Sequence, residues 1–275
     1  MFAASRDVGI DSPLGANVAG VEIVAWRDAQ RRLCVGPRSC PHMGADLATG
    51  TVHGGTLICR WHGLSLDSGA CEFGWKTLPS HDDGLLAWVR LDEVGGEPPL
   101  IEPVIPVRPT GGTLHAVTRL VAACEPTDII ANRLDPWHGA WFHPYSFARL
   151  EVLTTPTEHD DRFVVSVTFR MGRFGVPVIA EFTCTDARTI VMRIVEGEGV
   201  GSIVETHSTP IALGADGRPR TAVIEATVAH SGRTGFRWAS LAAPMFSPLM
   251  RHAGTKLWQD DLVYAERRYQ LRTGS

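Results

Sequence analysis

Two residue pairs able to do chemistry stand early in the chain: Cys40 with His42, and Cys59 with His62. The first reads C-x-H, sixteen residues follow, and the second reads C-x-x-H. Two thiolates and two imidazoles can hold a [2Fe–2S] cluster, the cysteines on one iron and the histidines on the other. Neutral imidazole in place of charged thiolate makes such a cluster less negative, so it accepts an electron more readily. The rival is zinc, because Cys₂His₂ is also a structural zinc set. Zinc fingers usually put two cysteines at one knuckle and two histidines at the other, whereas each knuckle here carries one of each. Gly44 and Gly63 follow the histidines and let the backbone turn close to inorganic sulfide.

A second set lies further on. Asp135, His138 and His143 form D-x-x-H-x-x-x-x-H, and Asn132 stands three residues before the aspartate. Two histidines and one carboxylate with open positions are the ligand set of non-haem Fe(II) oxygenases. Pro136 suits the first position of a helix and Asp135 the cap before it. Pro144 drives His143 out of helical geometry. His138 is therefore expected in a short helix and His143 at its exit. Histidines in a segment rich in Trp and Phe also occur as plain packing residues. It is the first motif that turns this spacing towards metal.

The segments CPHMGA (40–45), CRWHG (59–63) and N-x-x-D-x-x-H-x-x-x-x-H (132–143) resemble those of the Rieske non-haem iron oxygenases. The respiratory branch of the Rieske family usually has an extra, disulfide-forming cysteine in each loop; Ala45 and Trp61 occupy those regions here. The resemblance implies that His138 and His143 bind a mononuclear Fe(II). It implies that Asp135 is no ligand but links His138 to the Rieske histidine of a neighbouring subunit. The third ligand in this family comes from a long C-terminal helix, in a pattern like E/Q-D-x-x-V. Gln259-Asp260-Asp261-Leu262-Val263 matches it with Asp260 as the ligand. Helical spacing puts Asp260 on a stripe with Ala253, Leu257 and Tyr264, and Asp261 on one with Gly254, Trp258 and Ala265. Both stripes are fairly apolar, so periodicity alone does not choose. The plainer role, a carboxylate paired with Arg267 or Arg268 on a solvated face, fits Asp261 better.

The same resemblance implies an α+β fold: an all-β Rieske [2Fe–2S] domain over residues 1–105, then a helix-grip catalytic domain over 106–275. In the latter an antiparallel sheet surrounds the C-terminal helix. The implied reaction uses O2 as co-substrate to hydroxylate or otherwise oxidise an organic substrate. The chain shows no convincing flavin or nicotinamide fingerprint, so electrons from NAD(P)H are expected through a separate reductase, with a ferredoxin as a further carrier. A homotrimer is expected, since the family brings each cluster beside its neighbour's iron. Two other classes remain open: a Rieske electron carrier, and a hydrophobic-ligand-binding protein that has lost its iron.

The rest of the composition agrees with an enzyme of this kind. The 275 residues are 44% hydrophobic, enough for one large domain or two ordinary ones. A net charge of −4 argues against a nucleic-acid partner. No apolar run reaches the roughly 20 residues of a membrane span, and residues 1–20 carry no secretory signal, so a cytoplasmic location is expected. Cysteines 34, 71, 124 and 184 lack disulfide-like spacing and read as reduced thiols.

Elements that must position these residues can be read from the pattern. Val21–Trp26 and Leu33–Val35 read as strands before the first motif, where the family usually has a strand more. Leu64–Leu66, Cys71–Phe73 and Leu85–Leu91 follow it, with a turn over Asp67–Gly69. Gly95–Pro99 and five prolines between 98 and 109 make 95–112 a linker. Leu114–Ala122, Phe163–Met171, Val178–Thr183, Thr189–Val195, Ser202–Thr206 and Thr221–Ala229 read as an antiparallel meander. A helix is expected from about Leu249 to Arg272. Phe142, Tyr145, Phe147, Phe163, Phe169, Phe174 and Phe182 are candidates to line an apolar pocket.

Overall fold

The computed structural model describes residues 1–67, 73–92, 94, 98–171, 173–241 and 243–274. Of the expected strand Cys71–Phe73 only Phe73 falls within them; the end of the turn Asp67–Gly69 and linker residues 95–97 fall outside. The chain divides into two compact units. The first is Met1–Pro103 with Thr209–Pro219, and the second is Val104–Ser208 with Arg220–Ser275. The return of Thr209–Pro219 to the first unit has no counterpart in the 105/106 boundary read from the prolines.

The first unit is a stack of three small antiparallel sheets. Its strands are β1 (Ala3–Ala4), β2 (Leu14–Val18), β3 (Val21–Arg27), β4 (Leu33–Pro37), β5 (Thr51–His53), β6 (Thr56–Ile58), β7 (Ser65–Leu66), β8 (Ser80–Asp82) and β9 (Leu86–Val89). Two of them, β1 and β2, precede the first strand expected from the sequence. β2 escapes a pattern search because Gly15, Ala16 and Asn17 are poor strand formers. It forms through a two-residue turn at Ala19 and Gly20, both at positive φ, which returns the chain onto β3 with Val18 opposite Val21. β3 is buried on both faces. Val24 and Trp26 join the core beneath the cysteine loops, while Ile23 and Ala25 join a second core with Phe2, Val35 and Ala87. Trp75 closes the first core at 5.9 Å from Trp26 and donates from Nε1 to the Pro37 carbonyl at 3.1 Å.

The second unit is a seven-stranded antiparallel sheet with helices packed on it. Its strands are β10 (Thr113–Ala122), β11 (Phe147–Thr154), β12 (Phe163–Met171), β13 (Phe174–Asp186), β14 (Thr189–Gly197), β15 (Ile203–Pro210) and β16 (Thr221–His230). The order is β10-β16-β15-β14-β13-β12-β11, so only the first strand is out of sequence. The meander expected from period-2 alternation is therefore present, with β11 added at its edge. β11 hides from a pattern search because most of its residues face solvent. Between β10 and β11 come α1 (Pro126–Arg133), a 3-10 turn at Pro136–His138 and α2 (Gly139–Phe142). Pro126 starts α1, and Glu125 and Asp128 cap it reciprocally.

The chain closes with α3 (Thr234–Leu241) and α4 (Ala243–Thr273). α4 begins six residues before the expected Leu249 and runs through Pro248, a residue that in a sequence reads as a stop. α4 packs on β10 and α1, and its buried residues are Trp258, Asp261 and Ala265. Among the described residues no helix is long and apolar enough to cross a membrane.

Gly36 tests the packing under the cysteine loops. A Cβ there would lie 2.4 Å from the Trp75 ring. Gly36→Ala is expected to lower stability by about 1–3 kcal/mol in denaturant titration, the range for an overpacked core. Gly232→Ala, where a Cβ meets nothing within 4 Å, should leave stability within about 0.5 kcal/mol.

Candidate metal centres

The two cysteine–histidine loops are built alike. The Gly44 amide donates to the Cys40 carbonyl at 2.8 Å, and the Gly63 amide to the Cys59 carbonyl at 3.0 Å. The Cys40 amide donates to the Ala45 carbonyl, and the Cys59 amide to the Leu64 carbonyl, each at 2.9 Å. Gly44 and Gly63 sit at φ 75° and 70°, a conformation that side chains with a Cβ rarely adopt. Each loop therefore turns its cysteine inward and its histidine outward. Cys40 and Cys59 are buried in the Trp26 core, whereas His42 and His62 are exposed. The two imidazoles meet edge-on with centroids 4.8 Å apart. Burial, and then the hydrogen bond with Cys59, raise the Cys40 pKa. Adjacent thiols below and paired imidazoles above fit a [2Fe–2S] cluster with one cysteine-bound and one histidine-bound iron.

In the second unit two histidine nitrogens converge on one carboxylate oxygen. His143 Nε2 lies 2.8 Å from Asp261 Oδ1 and His138 Nε2 lies 3.2 Å from it. Asn132 Nδ2 donates to the same oxygen at 3.3 Å. One ligand atom from each of His138, His143 and Asp261 lies within 4.8 Å of the others. The expected placing of the two histidines is present: His138 ends the 3-10 turn, α2 follows, and His143 caps it at φ −120°. Gly139 between them lies close on β11, where a Cβ would be 3.0 Å from Leu150. Burial alone would raise the Asp261 pKa, but hydrogen bonds from His138 and His143 hold it well below the usual carboxylate range. An ionised carboxylate facing two imidazole nitrogens in a buried site fits a divalent cation.

The carboxylate in this group is Asp261, not Asp260. The sequence expectation of Asp260 is therefore replaced, and so is a solvated partnership of Asp261 with Arg267 or Arg268. The Gly254–Trp258–Asp261–Ala265 stripe is the one turned inward, with Asp261 4% exposed. Arg268 instead pairs with Asp128 of α1.

Asp260 has another place. Its side chain is 41% exposed, and the Tyr145 hydroxyl donates to its Oδ2 at 2.5 Å. The same hydroxyl lies 3.3 Å from His143 Nδ1. With its proton given to Asp260, Tyr145 is left to accept from His143 Nδ1–H. With a metal in place of the Nε2 hydrogen now facing Asp261, this contact would hold the His143 ring in the Nδ1–H tautomer. Burial, followed by the Asp260 hydrogen bond, raises the Tyr145 pKa, which keeps it a donor. Nothing local in the sequence marks Tyr145, since its partner is 115 residues away.

Asp135 makes no capping hydrogen bond to the turn it precedes, so a cap is not its role. Its Oδ2 accepts from Tyr264 at 3.0 Å and lies 3.8 Å from His138 Nδ1. That nitrogen is buried without a hydrogen-bond partner among the described residues. Of the aromatic residues considered for a pocket, Phe147, Phe169 and Phe182 line a cavity of about 290 Å³ that reaches the histidines. Phe142, Tyr145, Phe163 and Phe174 do not, and Phe174 is 72% exposed.

Known proteins share both halves. A Rieske [2Fe-2S] domain model matches residues 1–82, and a domain of unknown function (DUF5914) matches residues 94–275. The vanillate O-demethylase oxygenase subunit of Pseudomonas sp. (strain HR199 / DSM 7063) is 26% identical over 85% of this chain and 66% of its own length. The chain thus spans just under two thirds of that relative. The oxygenase component of 3-ketosteroid-9-alpha-monooxygenase from Rhodococcus rhodochrous is 30% identical over 52% of this chain and 40% of its own. Dicamba monooxygenase bound to dicamba has the same fold, with a TM-score of 0.69 at 18% identity, covering 98% of this chain and 86% of that one.

Asp261→Ala is expected to lose the mononuclear iron on anaerobic metal analysis, while Asp260→Ala retains most of it. Tyr145→Phe should weaken Fe(II) binding by about ten-fold, as loss of an outer hydrogen bond does. In all three variants the visible spectrum of the cluster should match that of the parent protein. His143→Ala should behave like Asp261→Ala; wild-type iron content in either variant would remove it from the ligand set.

Proposed function

Because the chain belongs to the Rieske oxygenases, its second half within the family of the domain of unknown function DUF5914, we propose that it is the oxygenase component of a Rieske non-haem iron system. Residues 1–105 would hold the cluster on Cys40, His42, Cys59 and His62. Residues 106–275 would hold Fe(II) on His138, His143 and Asp261. When bound, these groups supply single electrons and O2 activation for oxidation of an organic substrate. The observation that carries this reading is the convergence of both Nε2 atoms on one Asp261 oxygen.

The chain's own residues do the rest. Tyr145 and Asp260 orient the His143 ring through its Nδ1. Asn132 keeps Asp261 oriented. The largely apolar cavity excludes water and takes a hydrophobic substrate. Asp135 is the bridging residue. It would accept from His138 Nδ1 on one side and from the imidazole of His42 or His62 of a neighbouring copy on the other. The unpartnered His138 Nδ1 and the exposure of His42 and His62 support that role.

Such a route needs a closed assembly in which each copy serves the next, and the family resemblance makes that assembly a homotrimer. The relatives are named as an oxygenase subunit and an oxygenase component, wording that supports a separate reductase. That reductase would draw on NAD(P)H, with a ferredoxin as a further carrier, in the cytoplasm.

Iron analysis should give about three irons per chain, two in the cluster and one beside the histidines. A count of about two, with a Rieske-type electron paramagnetic resonance signal, would fit an electron carrier instead. Asp135→Asn should keep all the iron yet severely slow re-oxidation of the reduced cluster when O2 and substrate are mixed in. Wild-type kinetics in that variant, or full activity of a monomer by light scattering, would sink the inter-subunit route.

A further inference from the structure

The cavity between the sheet and α4 is largely apolar; away from its metal end the polar lining residues are Arg133, Glu225 and Thr227. Arg133 is the last residue of α1, and its side chain is 19% exposed. The guanidinium carbon lies 5.8 Å from the centroids of both the Phe182 and the Trp258 rings. Its Nε is buried with no hydrogen-bond partner among the described residues. Its Nη2 lies 3.8 Å from Glu225 Oε2, too far for a hydrogen bond. That oxygen is already taken, accepting from Trp258 Nε1 at 2.9 Å and Thr206 Oγ1 at 3.1 Å. A guanidinium cannot shed its proton, so this unmet donor persists at any working pH. A buried donor without an acceptor is costly, and a ligand that supplies one is favoured over an analogue that does not.

We propose that Arg133 is the substrate anchor, and that the substrate is an uncharged aromatic compound bearing a neutral oxygen acceptor of the ketone type. This rests on the oxygenase reading and adds the substrate class. An acid does not fit. Three carboxylates, Glu225, Asp135 and Asp261, already line the cavity with Arg133, so a further carboxylate would add like charge in an apolar setting. A carbonyl oxygen meets the donor without adding charge. Size agrees. A cavity of 150 Å³ takes benzene, and one of about 290 Å³ suits a two-ring or substituted one-ring compound. Position agrees as well. Trp258 and Asp261 are three residues apart on α4, about 4.5 Å along its axis, so the anchored end sits roughly one turn from the metal ligands.

The test is equilibrium dialysis of the metal-loaded protein under nitrogen with three matched probes: acetylnaphthalene, naphthoate and ethylnaphthalene. Acetylnaphthalene should bind at least about ten-fold more tightly than either of the others. The double variant Arg133→Met with Glu225→Gln keeps the site neutral. It should lose that preference while holding ethylnaphthalene within about three-fold of the parent. Tightest binding of naphthoate, a ketone preference that survives in the double variant, or no binding of any probe would each overturn the proposal. Binding is read without turnover. A protein that prefers the ketone but makes no O2-dependent product would therefore overturn the oxygenase reading and not this one.

Discussion

The second unit turns on a buried negative charge. Asp261 is 4% exposed on a helix whose neighbours in the same stripe are Trp258 and Ala265. An isolated carboxylate in such a place would take up a proton rather than stay charged. It stays ionised because His138, His143 and Asn132 all address one of its oxygens. Those three residues come from α1, the 3-10 turn after it and the end of α2, so the same contacts tie α4 to the segment that carries the histidines. A cation placed there would replace donor hydrogens by a metal without moving the framework. The site's geometry and the register of α4 against α1 are thus a single constraint.

Around this centre hydrogen bonds fix what the ligands alone leave free. Each imidazole has one nitrogen towards Asp261 and one away from it. For His143 the outer nitrogen meets Tyr145, which is held by Asp260. For His138 it faces Asp135, which is held by Tyr264. Both arrangements put a carboxylate and a tyrosine behind a histidine. In both the carboxylate stands just beyond hydrogen-bond reach of the outer nitrogen, 3.7 Å for Asp260 and His143 and 3.8 Å for Asp135 and His138. The tyrosines differ: the Tyr145 hydroxyl lies 3.3 Å from His143 Nδ1, whereas the Tyr264 ring stacks on His138 with centroids 5.4 Å apart. The two histidines are therefore held in different ways.

The first unit solves a different problem, how to bury one end of a cluster and expose the other. Two loops with matching hydrogen bonds drop their cysteines into the Trp26 core and lift their histidines to the surface. Met43 and Trp61 beside those histidines are 63% and 58% exposed.

Much of this was legible in the sequence. The ligand types, the spacing of both motifs, the bend at His143 and the sheet's alternation are local properties, carried by residues within a few positions of each other. The weak strands Leu14–Val18 and Phe147–Thr154 were not, because the turn at Ala19–Gly20 and the edge of a large sheet create them. Nor was the choice between Asp260 and Asp261. One step along a helix turns a side chain by about 100°, and both candidate stripes are apolar enough to face inward. Only the packing of Trp258 and Ala265 under α1 and the sheet decides which aspartate points at the histidines. The same holds for Tyr145 and Arg133. Their partners lie far along the chain, and a role defined by contact at long range is decided by the tertiary fold alone.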